Sequence, residues 1–320
     1  MQIIYSQVSV AYLQSKLLPT YGFPADSEVV YLHQGFHDTY QVSTGAERYV
    51  FRLYRQGWKP LRDIEGELGV INLLSQQELP VAYPIPDAEG RLIQSLDCPE
   101  GVRYGVLFRY APGAPLPAFD TGSARLFGEH LARIHQVTAG RTFPSLTKAY
   151  EPDFILGFVR DALVSRLGEG SIAWQTLIQI ETKLSQQLPP ALLQTLPRGI
   201  CHGDPHHENC HRVQETDTLT FFDFDFCGDG YFHYDLGSFF HYERQRPDVK
   251  EAFLAGYTAV RPLGEASQAI IPYFEVLMRL FHLGARAAHA DGLQSPVWPV
   301  REIERTAREI QEQLAGLAAP

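Results

Sequence analysis

The sequence predicts an α+β fold in two lobes: a small N-terminal lobe built on an antiparallel sheet and a larger, mainly helical C-terminal lobe. Short runs rich in β-branched and aromatic residues, separated by glycines, occur within residues 29–110. A turn-rich segment, 112–117, follows them, and beyond it apolar residues recur at helical spacing. We therefore place the lobes at residues 1–111 and 112–320, which is consistent with a chain of 320 residues.

The N-terminal lobe is expected to begin with a short amphipathic helix, which Pro19 and Gly22 would end. A second helix is expected between the strands, because Ile64, Leu68 and Ile71 recur on one face of a helical pattern. The predicted helices cover residues 7–18 and 61–77, and the predicted strands cover 29–32, 39–43, 48–54, 91–95 and 103–110.

The C-terminal lobe is expected to be helical except at residues 200–226, where a loop and a pair of strands carry most of the polar residues. The predicted helices cover residues 122–137, 154–167, 172–187, 234–243, 249–258, 266–289 and 299–315. We expect the polar interruption to hold the functional site.

Composition and charge argue against several classes of protein. The net charge is −10 and no Lys/Arg-rich block occurs, which disfavours nucleic acid or an anionic membrane as a partner. An acidic surface is compatible with a cationic ligand, but it is also ordinary for a soluble enzyme. No apolar run approaches the ~20 residues of a membrane helix, and the N-terminus does not resemble a signal peptide. The four cysteines follow no disulfide spacing, so we expect reduced thiols and a cytoplasmic protein.

The polar segment has the side chains that phosphoryl transfer from a nucleotide requires. Asp204 and Asn209 are five residues apart, and Asp223 and Asp225 follow an apolar, aromatic strand. One carboxylate can orient an acceptor hydroxyl and take its proton. An amide oxygen and a second carboxylate can hold the Mg²⁺ that bridges phosphate oxygens. The order of these residues predicts a Mg²⁺-dependent phosphotransferase.

The pattern His-Gly-Asp-x-His-x-x-Asn at residues 202–209, then Phe-Asp-Phe-Asp at 222–225 and Asp235-Leu236, resembles the aminoglycoside phosphotransferase/choline kinase superfamily. Within it, the homoserine-kinase-like and stress-response-kinase-like branches are the most similar. The resemblance implies a bilobal protein-kinase-like fold with the nucleotide between the lobes. The resemblance implies that Asp204 is the catalytic base and that Asn209 and Asp223 are metal ligands. It also implies that Asp235 braces the catalytic loop through backbone amides, and that His202 and His206 hold the shape of this loop. Asp225 is either a second metal ligand or a support of the loop.

The N-terminal lobe resembles the family less closely. Arg52 occupies the strand position where the family places a cation against the nucleotide phosphates, and Glu67 fits the helix glutamate that pairs with it. The family has a Gly-rich loop between the first two strands, whereas this chain keeps only one glycine there, Gly35. Phe108 and Tyr110 lie in the stretch whose backbone the resemblance places against the purine. These residues are the implied contacts of ATP, with GTP as an alternative.

The resemblance implies an enzyme that transfers the γ-phosphate to a hydroxyl of a small acceptor such as an aminoglycoside, homoserine or choline. A protein Ser/Thr kinase of the stress-response type is the first alternative. Two others remain: a catalytically silent nucleotide-binding module, and a zinc knuckle formed by the Cys and His residues of 201–211. Retention of Asp204, Asn209 and Asp223 argues against the silent module. The cysteine spacing lacks the paired pattern of zinc sites.

Overall fold

The computed structural model describes residues 3–288 and 299–318, which form two compact units. The first unit runs from the N-terminus to Ala114 and also includes Cys210–Phe222; the second comprises Pro115–Asn209 and the residues from Asp223 onward. The segment 210–222 was expected in the C-terminal lobe but belongs to the first unit. Among the described residues, no helix combines the length and apolar character needed to cross a bilayer.

The first unit is built on a five-stranded antiparallel sheet in the order β1-β2-β3-β5-β4. The sheet packs on an apolar cluster that includes Tyr40, Phe51 and Leu107, all fully buried. Helix α2 buries the apolar positions of its predicted face. The elements of this unit are α1 (Val10–Tyr12), β1 (Glu28–Gln34), β2 (Asp38–Thr44), β3 (Glu47–Leu53), α2 (Leu61–Gln76), β4 (Ile93–Cys98) and β5 (Gly101–Arg109).

The N-terminal helix differs from its prediction. The chain is helical from Val10 to Tyr21 in three short segments, the last of them a 3₁₀ turn, Leu18–Tyr21. Pro19 therefore does not end the helix. It sits in the first turn of the 3₁₀ segment, where a missing backbone N–H costs little. The segment ends at Gly22, which has a left-handed conformation with φ of 69°.

A hairpin joins residues 210–222 to the first unit. Its strands are β9 (Cys210–Val213) and β10 (Thr218–Phe221), which pair antiparallel. The N–H of Phe221 donates to the carbonyl of Pro80, and the carbonyl of Phe221 accepts the N–H of Ala82, both at 2.9 Å. Backbone pairing of this kind explains why a segment that follows Asp204 in sequence packs with the first unit.

The second unit is mainly helical. In it α3 packs against α8, α10 against α4 and α7, and α11 against α5. A small sheet in the order β7-β11-β8 adjoins these helices. The helices are α3 (Thr121–Thr138), α4 (Pro152–Leu167), α5 (Ile172–Gln187), α6 (Pro190–Leu193), α7 (His233–Tyr242), α8 (Pro247–Val260), α9 (Glu265–Ala269), α10 (Ile271–Ala288) and α11 (Val300–Gly316). The strands of this unit are β7 (Ala149–Tyr150), β8 (Arg198–Cys201) and β11 (Gly228–Tyr231). The short strand β6 (Ala114–Pro115), where the first unit ends in sequence, neighbours β9.

One predicted helix of this unit is divided. The pattern over residues 266–289 predicts a continuous helix, whereas α9 ends at Ala269 and α10 begins at Ile271. Residue 289 lies outside the described residues. Pro272, in the first turn of α10, explains the break, because proline lacks the N–H that a continuous helix would use there.

Candidate active site

The loop that follows β8 carries Asp204 and requires glycine just before it. Gly203 has φ of +89°, a conformation that side chains other than glycine rarely adopt. A Cβ atom there would lie 2.1 Å from the carbonyl oxygen of Phe226. The backbone is therefore held close to the segment after Asp223, and only glycine fits at this turn.

Asp235 fastens the same loop from the first turn of α7. The N–H of His202 donates to Asp235 Oδ2 at 2.7 Å, and the N–H of Gly203 donates to Oδ1 at 2.9 Å. His135, on α3, lies 2.9 Å from Oδ2 through Nε2. Asp235 is 0% exposed, so its charge is stabilised by these donors rather than by water. This is the geometry that the family resemblance implies for Asp235.

His135 is a neutral member of this network. Burial lowers its pKa, although the hydrogen bond and charge of Asp235 act in the opposite direction. Because both oxygens of Asp235 already accept backbone N–H groups, we assign the proton to Nε2, which donates to Oδ2. Nδ1, 2.8 Å from the hydroxyl of Tyr257, then accepts from that hydroxyl. Tyr257 on α8 thus fixes the ring that supports the loop.

The predicted loop histidines have local partners. His202 Nδ1 accepts the N–H of Asp204 at 3.4 Å, and its ring lies 4.5 Å from the ring of Phe224. His206 Nδ1 accepts the N–H of Glu208 at 3.3 Å. Both imidazoles therefore contact the loop backbone, as expected of residues that hold its shape.

Side chains, rather than backbone amides, surround the carboxylate of Asp204. The hydroxyl of Tyr242 donates to Oδ1 at 2.7 Å. Oδ2 lies 3.2 Å from His206 Nε2 and 3.4 Å from Asn209 Nδ2. The Asp204 side chain is 20% exposed. Sequence reasoning missed Tyr242, which lies 38 residues later at the end of α7 and belongs to no recognisable motif.

The charges of this loop reinforce one another. Burial alone would raise the pKa of Asp204, but the hydrogen bond and charge of His206, with the Tyr242 hydroxyl, lower it below its usual range. Burial opposes protonation of His206, yet Asp204 raises the pKa of that ring, with smaller contributions from Glu208 and Asp223. Asp204 is therefore ionised at neutral pH and can accept a proton.

Asn209 presents one atom that suits a cation. Its Nδ2 donates to the carbonyl of Asp204 at 2.9 Å, and this contact fixes the orientation of the amide. Oδ1 is the remaining donor atom of the side chain. A neutral oxygen of this kind is a ligand that Mg²⁺ accepts.

Asp223 and Asp225 follow β10 in different environments. Asp223 is partly exposed and has φ of 63°, a left-handed conformation that aspartate tolerates. Asp225 is 2% exposed and lies in the 3₁₀ turn Phe224–Phe226, where its carbonyl accepts from Lys148 Nζ at 3.0 Å. Asp223 and Asn209 each offer a hard oxygen atom. Such oxygens suit Mg²⁺, which is commonly held by one or two carboxylates together with substrate phosphates.

The zinc-knuckle hypothesis finds no support in the described residues, where no group of three or more His, Cys, Asp or Glu side chains could hold a metal ion. Cys201 Sγ donates to the carbonyl of Tyr231, and burial raises the pKa of Cys210 to about 12. His211 Nδ1 lies 2.9 Å from the carbonyl of Ala111. The cysteines are therefore buried thiols, and His211 has a local partner.

In the first unit, Glu67 binds two cations. Arg52 Nη1 lies 3.2 Å from Oε1, which is the predicted pair, and Lys59 Nζ lies 2.5 Å from Oε2. Glu67 is 0% exposed, and the side chain of Lys59 is 1% exposed. Lys59 was not predicted; its position just before α2, the helix that carries Glu67, is the one signal that could have indicated it.

The other predicted nucleotide contacts also lie in the first unit. Gly35 follows β1, and its N–H donates to the carbonyl of His37 at 3.0 Å. Phe108 is buried, and the Arg52 guanidinium lies 5.4 Å from the centre of its ring. The N–H of Tyr110 donates to the carbonyl of Arg48 at 3.2 Å. A purine could not accept a hydrogen bond from Tyr110 without displacing that contact.

The sequence and structure were compared with known proteins. The model of the Phosphotransferase enzyme family matches residues 28–267. An uncharacterized protein of Synechocystis sp. is 34% identical over 81% of this chain and 73% of its own length. A homoserine kinase of Polaromonas naphthalenivorans is 28% identical over 73% of this chain and 72% of its own length.

Solved structures show the same fold. An amicoumacin kinase in complex with AMP-PNP and Ca²⁺ matches with a TM-score of 0.74 at 20% identity, over 96% of this chain and 94% of that one. This likeness confirms the predicted α+β, protein-kinase-like fold class.

Proposed function

Because the chain belongs to the Phosphotransferase enzyme family and is a phosphotransferase with an alcohol group as acceptor, we propose that Asp204 is the base that activates that alcohol. The phosphoryl donor is ATP or GTP, and the acceptor is a small molecule. The names of the relatives favour this over protein Ser/Thr kinase activity: the homoserine kinase and the amicoumacin kinase are both named for small compounds.

The observation that supports this role for Asp204 most directly is the hydroxyl of Tyr242. It donates to Oδ1 at 2.7 Å, so the carboxylate already accepts a hydrogen bond from an alcohol-like group. An acceptor hydroxyl in the same position would give its proton to Asp204 as its oxygen attacks the γ-phosphorus. The bond from that phosphorus to the β–γ bridging oxygen breaks, and the nucleoside diphosphate leaves with the electron pair. A positioned base of this kind contributes about 10²–10⁴ in rate.

Asn209 and Asp223 would hold the divalent cation, which we propose to be Mg²⁺. When bound, the cation neutralises charge on the phosphate oxygens. Asn209 Oδ1 is already oriented by the bond from Nδ2 to Asp204. Asp225 is the weaker candidate, since it is almost fully buried. The amicoumacin kinase complex with AMP-PNP and Ca²⁺ supports the use of a nucleotide and a divalent cation.

Arg52 would bind the nucleotide phosphates, and Glu67 would position it. Glu67 is buried, whereas the Arg52 side chain is 13% exposed, so Arg52 is the partner that can reach a ligand. Its planar guanidinium can make two parallel hydrogen bonds to phosphate oxygens. Lys59, buried on the other carboxylate oxygen, would hold the side chain of Glu67 in place.

The proposed function is tested by transfer of labelled phosphate from ATP or GTP to a panel of small alcohols, together with nucleotide titrations at increasing Mg²⁺. Mg²⁺ should tighten nucleotide binding in the wild type. Asp223→Ala should lose about tenfold or more of that affinity. Glu215→Ala, an exposed carboxylate in the hairpin before Asp223, is the matched control and should bind as the wild type does. Affinity that is indifferent to Mg²⁺ in all three proteins, with stoichiometric zinc in the purified protein, would favour the zinc-knuckle hypothesis instead.

A further inference from the structure

A cavity of about 420 Å³ lies at the end of α7, within the second unit. Its wall includes Tyr242, whose hydroxyl lies 2.7 Å from Asp204 Oδ1. The cavity and the proposed catalytic base therefore share Tyr242 as a neighbour. The lining residues are His241, Tyr242, Arg244, Gln245 and Arg246.

The two arginines of this wall differ in what they bind. Arg246 Nη1 donates to the carbonyl of Phe119 and lies 3.8 Å from Glu243 Oε2, so it joins the chain after α7 to the segment before α3. Arg244 is exposed. Within residues 3–288 and 299–318, no carboxylate lies within salt-bridge distance of the Arg244 guanidinium. Arg244 is thus the cation of the wall that can bind a ligand without breaking an ion pair.

Helix α10 adds further positive charge to this side of Asp204. Glu275, Arg279, His282 and Arg286 are spaced four, three and four residues apart, which places them on one face of the helix. The charges of Arg286 and Asp204 both act on His282, so this face lies near the base. This face of α10 therefore carries two arginines, Arg279 and Arg286, and one carboxylate, Glu275.

Glu275, the carboxylate of this face, already has polar neighbours. Glu275 Oε1 lies 3.9 Å from His241 Nδ1, and its charge also acts on Arg279. Arg279 itself binds the side-chain oxygen of Gln313 at 2.5 Å and lies 3.5 Å from Glu309. A cationic acceptor would compete with these groups for Glu275, whereas an anionic one would meet Arg244 directly.

We propose that Arg244 binds an anionic group of the phosphate acceptor, and that the acceptor is a small alcohol carrying a carboxylate or a phosphate. This inference rests on the proposed function, because it takes Asp204 to mark the position of the reacting hydroxyl. The proposed preference for an anion is local, and it is the opposite of the preference for a cation that the net charge of −10 alone would favour. The competing explanation is that Arg244 only offsets the negative end of the α7 dipole, which would affect stability but not the binding of an acceptor.

Binding can be measured without turnover in Asp204→Asn, with AMP-PNP and Mg²⁺ present. The probes are pairs that differ by one anionic group: ethanolamine and L-serine, 3-amino-1-propanol and L-homoserine, glycerol and glycerol 3-phosphate. The first two pairs test a carboxylate and the third a phosphate. In at least one pair the anionic member should bind about tenfold tighter than its partner. Arg244→Gln should abolish that preference, and Arg244→Lys should keep part of it, because a point charge replaces a planar fork.

Arg301→Gln, an exposed arginine on α11, is the matched control and should leave the preference unchanged. The melting temperature of Arg244→Gln shows whether the variant is folded. The inference is overturned if the members of every pair bind equally, if the cationic member binds tighter, if no anionic probe binds, or if Arg244→Gln keeps the preference. A failure of the proposed function is distinguishable, because it appears as a wild-type enzyme without Asp204-dependent phosphate transfer.

Discussion

Asp204 and Asp235 are both aspartates of the second unit, but their hydrogen-bond partners differ in kind. Asp235 is 0% exposed and binds two backbone N–H groups and a buried imidazole. Asp204 is partly exposed and binds the side chains of Tyr242, His206 and Asn209. Partners fixed in the backbone cannot leave without unfolding the loop. Side-chain partners can be exchanged for a substrate, so the second arrangement is suited to chemistry and the first to support.

The largest expected effect on stability follows from removing the charge of Asp235. Asp235→Asn replaces one accepting oxygen with an amide that faces N–H donors. It should lower the free energy of unfolding by about 3 kcal/mol, because charge-assisted hydrogen bonds in a buried site are lost. Turnover should fall with it. Urea unfolding and initial rates measure both. Wild-type stability in this variant would show that Asp235 does not hold the loop.

The two cations that bind Glu67 should also differ in role: Lys59 should support the fold, and Arg52 should bind the nucleotide. Lys59→Met removes the buried partner and should cost about 3 kcal/mol of unfolding free energy. Arg52→Ala should cost less stability, about 1 kcal/mol, but should raise the nucleotide KM and lower kcat. Arg52→Lys should restore part of the kinetic loss. Denaturation and steady-state kinetics on all three variants test the separation; equal kinetic defects in Lys59→Met and Arg52→Ala would contradict it.

A double-mutant cycle sharpens the same test. Glu67→Ala should give a milder kinetic defect than Arg52→Ala, and the double variant should be less than additive because the two residues are in contact. Strict additivity in the cycle would show that the pair is not coupled, and would leave the phosphate contacts to other residues.

A separate expected effect concerns the pH dependence of stability. Burial lowers the pKa of His282 to about 4, with Asp204 acting in the opposite direction. The unfolded chain binds this proton near pH 6.5, whereas the folded chain does so only near pH 4. Stability should therefore fall as the pH drops from 6.5 to 4, by about 2–3 kcal/mol from this residue, and should be unaffected by it above 6.5.

The pH effect is measured by urea unfolding at a series of pH values. His282→Gln should lose less stability across that window than the wild type. His33→Gln, an exposed histidine on β1, is the matched control and should follow the wild type. An identical fall in all three proteins would show that His282 titrates alike in the folded and unfolded chain.

The loop residues of the site that the sequence predicts lie close together along the chain. Asp204 and Asn209 lie in one loop, five residues apart, so their residue types and spacing are enough to predict the chemistry. Tyr242 and Lys59 were missed because each reaches its partner only through packing: Tyr242 through the placement of α7, and Lys59 through the chain that enters α2. A single tyrosine or lysine has no local pattern that distinguishes it from a surface residue.

The fold likewise has parts that the sequence predicts and parts that it does not. The strands of the first unit and the apolar face of α2 follow from residue type and spacing. The break before Ile271 and the continuation of helix past Pro19 depend on where a proline falls within a helical segment, which the pattern of apolar residues does not reveal. Membership of residues 210–222 in the first unit depends on backbone pairing with residues distant in sequence.

The most direct test of Asp204 as the catalytic base compares Asp204→Asn with Glu208→Gln, a carboxylate of the same loop whose side chain is 75% exposed. Single-turnover phosphate transfer and the melting temperature are measured on both, with any alcohol that the wild type phosphorylates. Asp204→Asn should transfer phosphate about 10²–10⁴ times more slowly than the wild type at a similar melting temperature. Glu208→Gln should match the wild type in both. Near-normal transfer by Asp204→Asn, or a loss of rate explained by unfolding, would contradict the assignment.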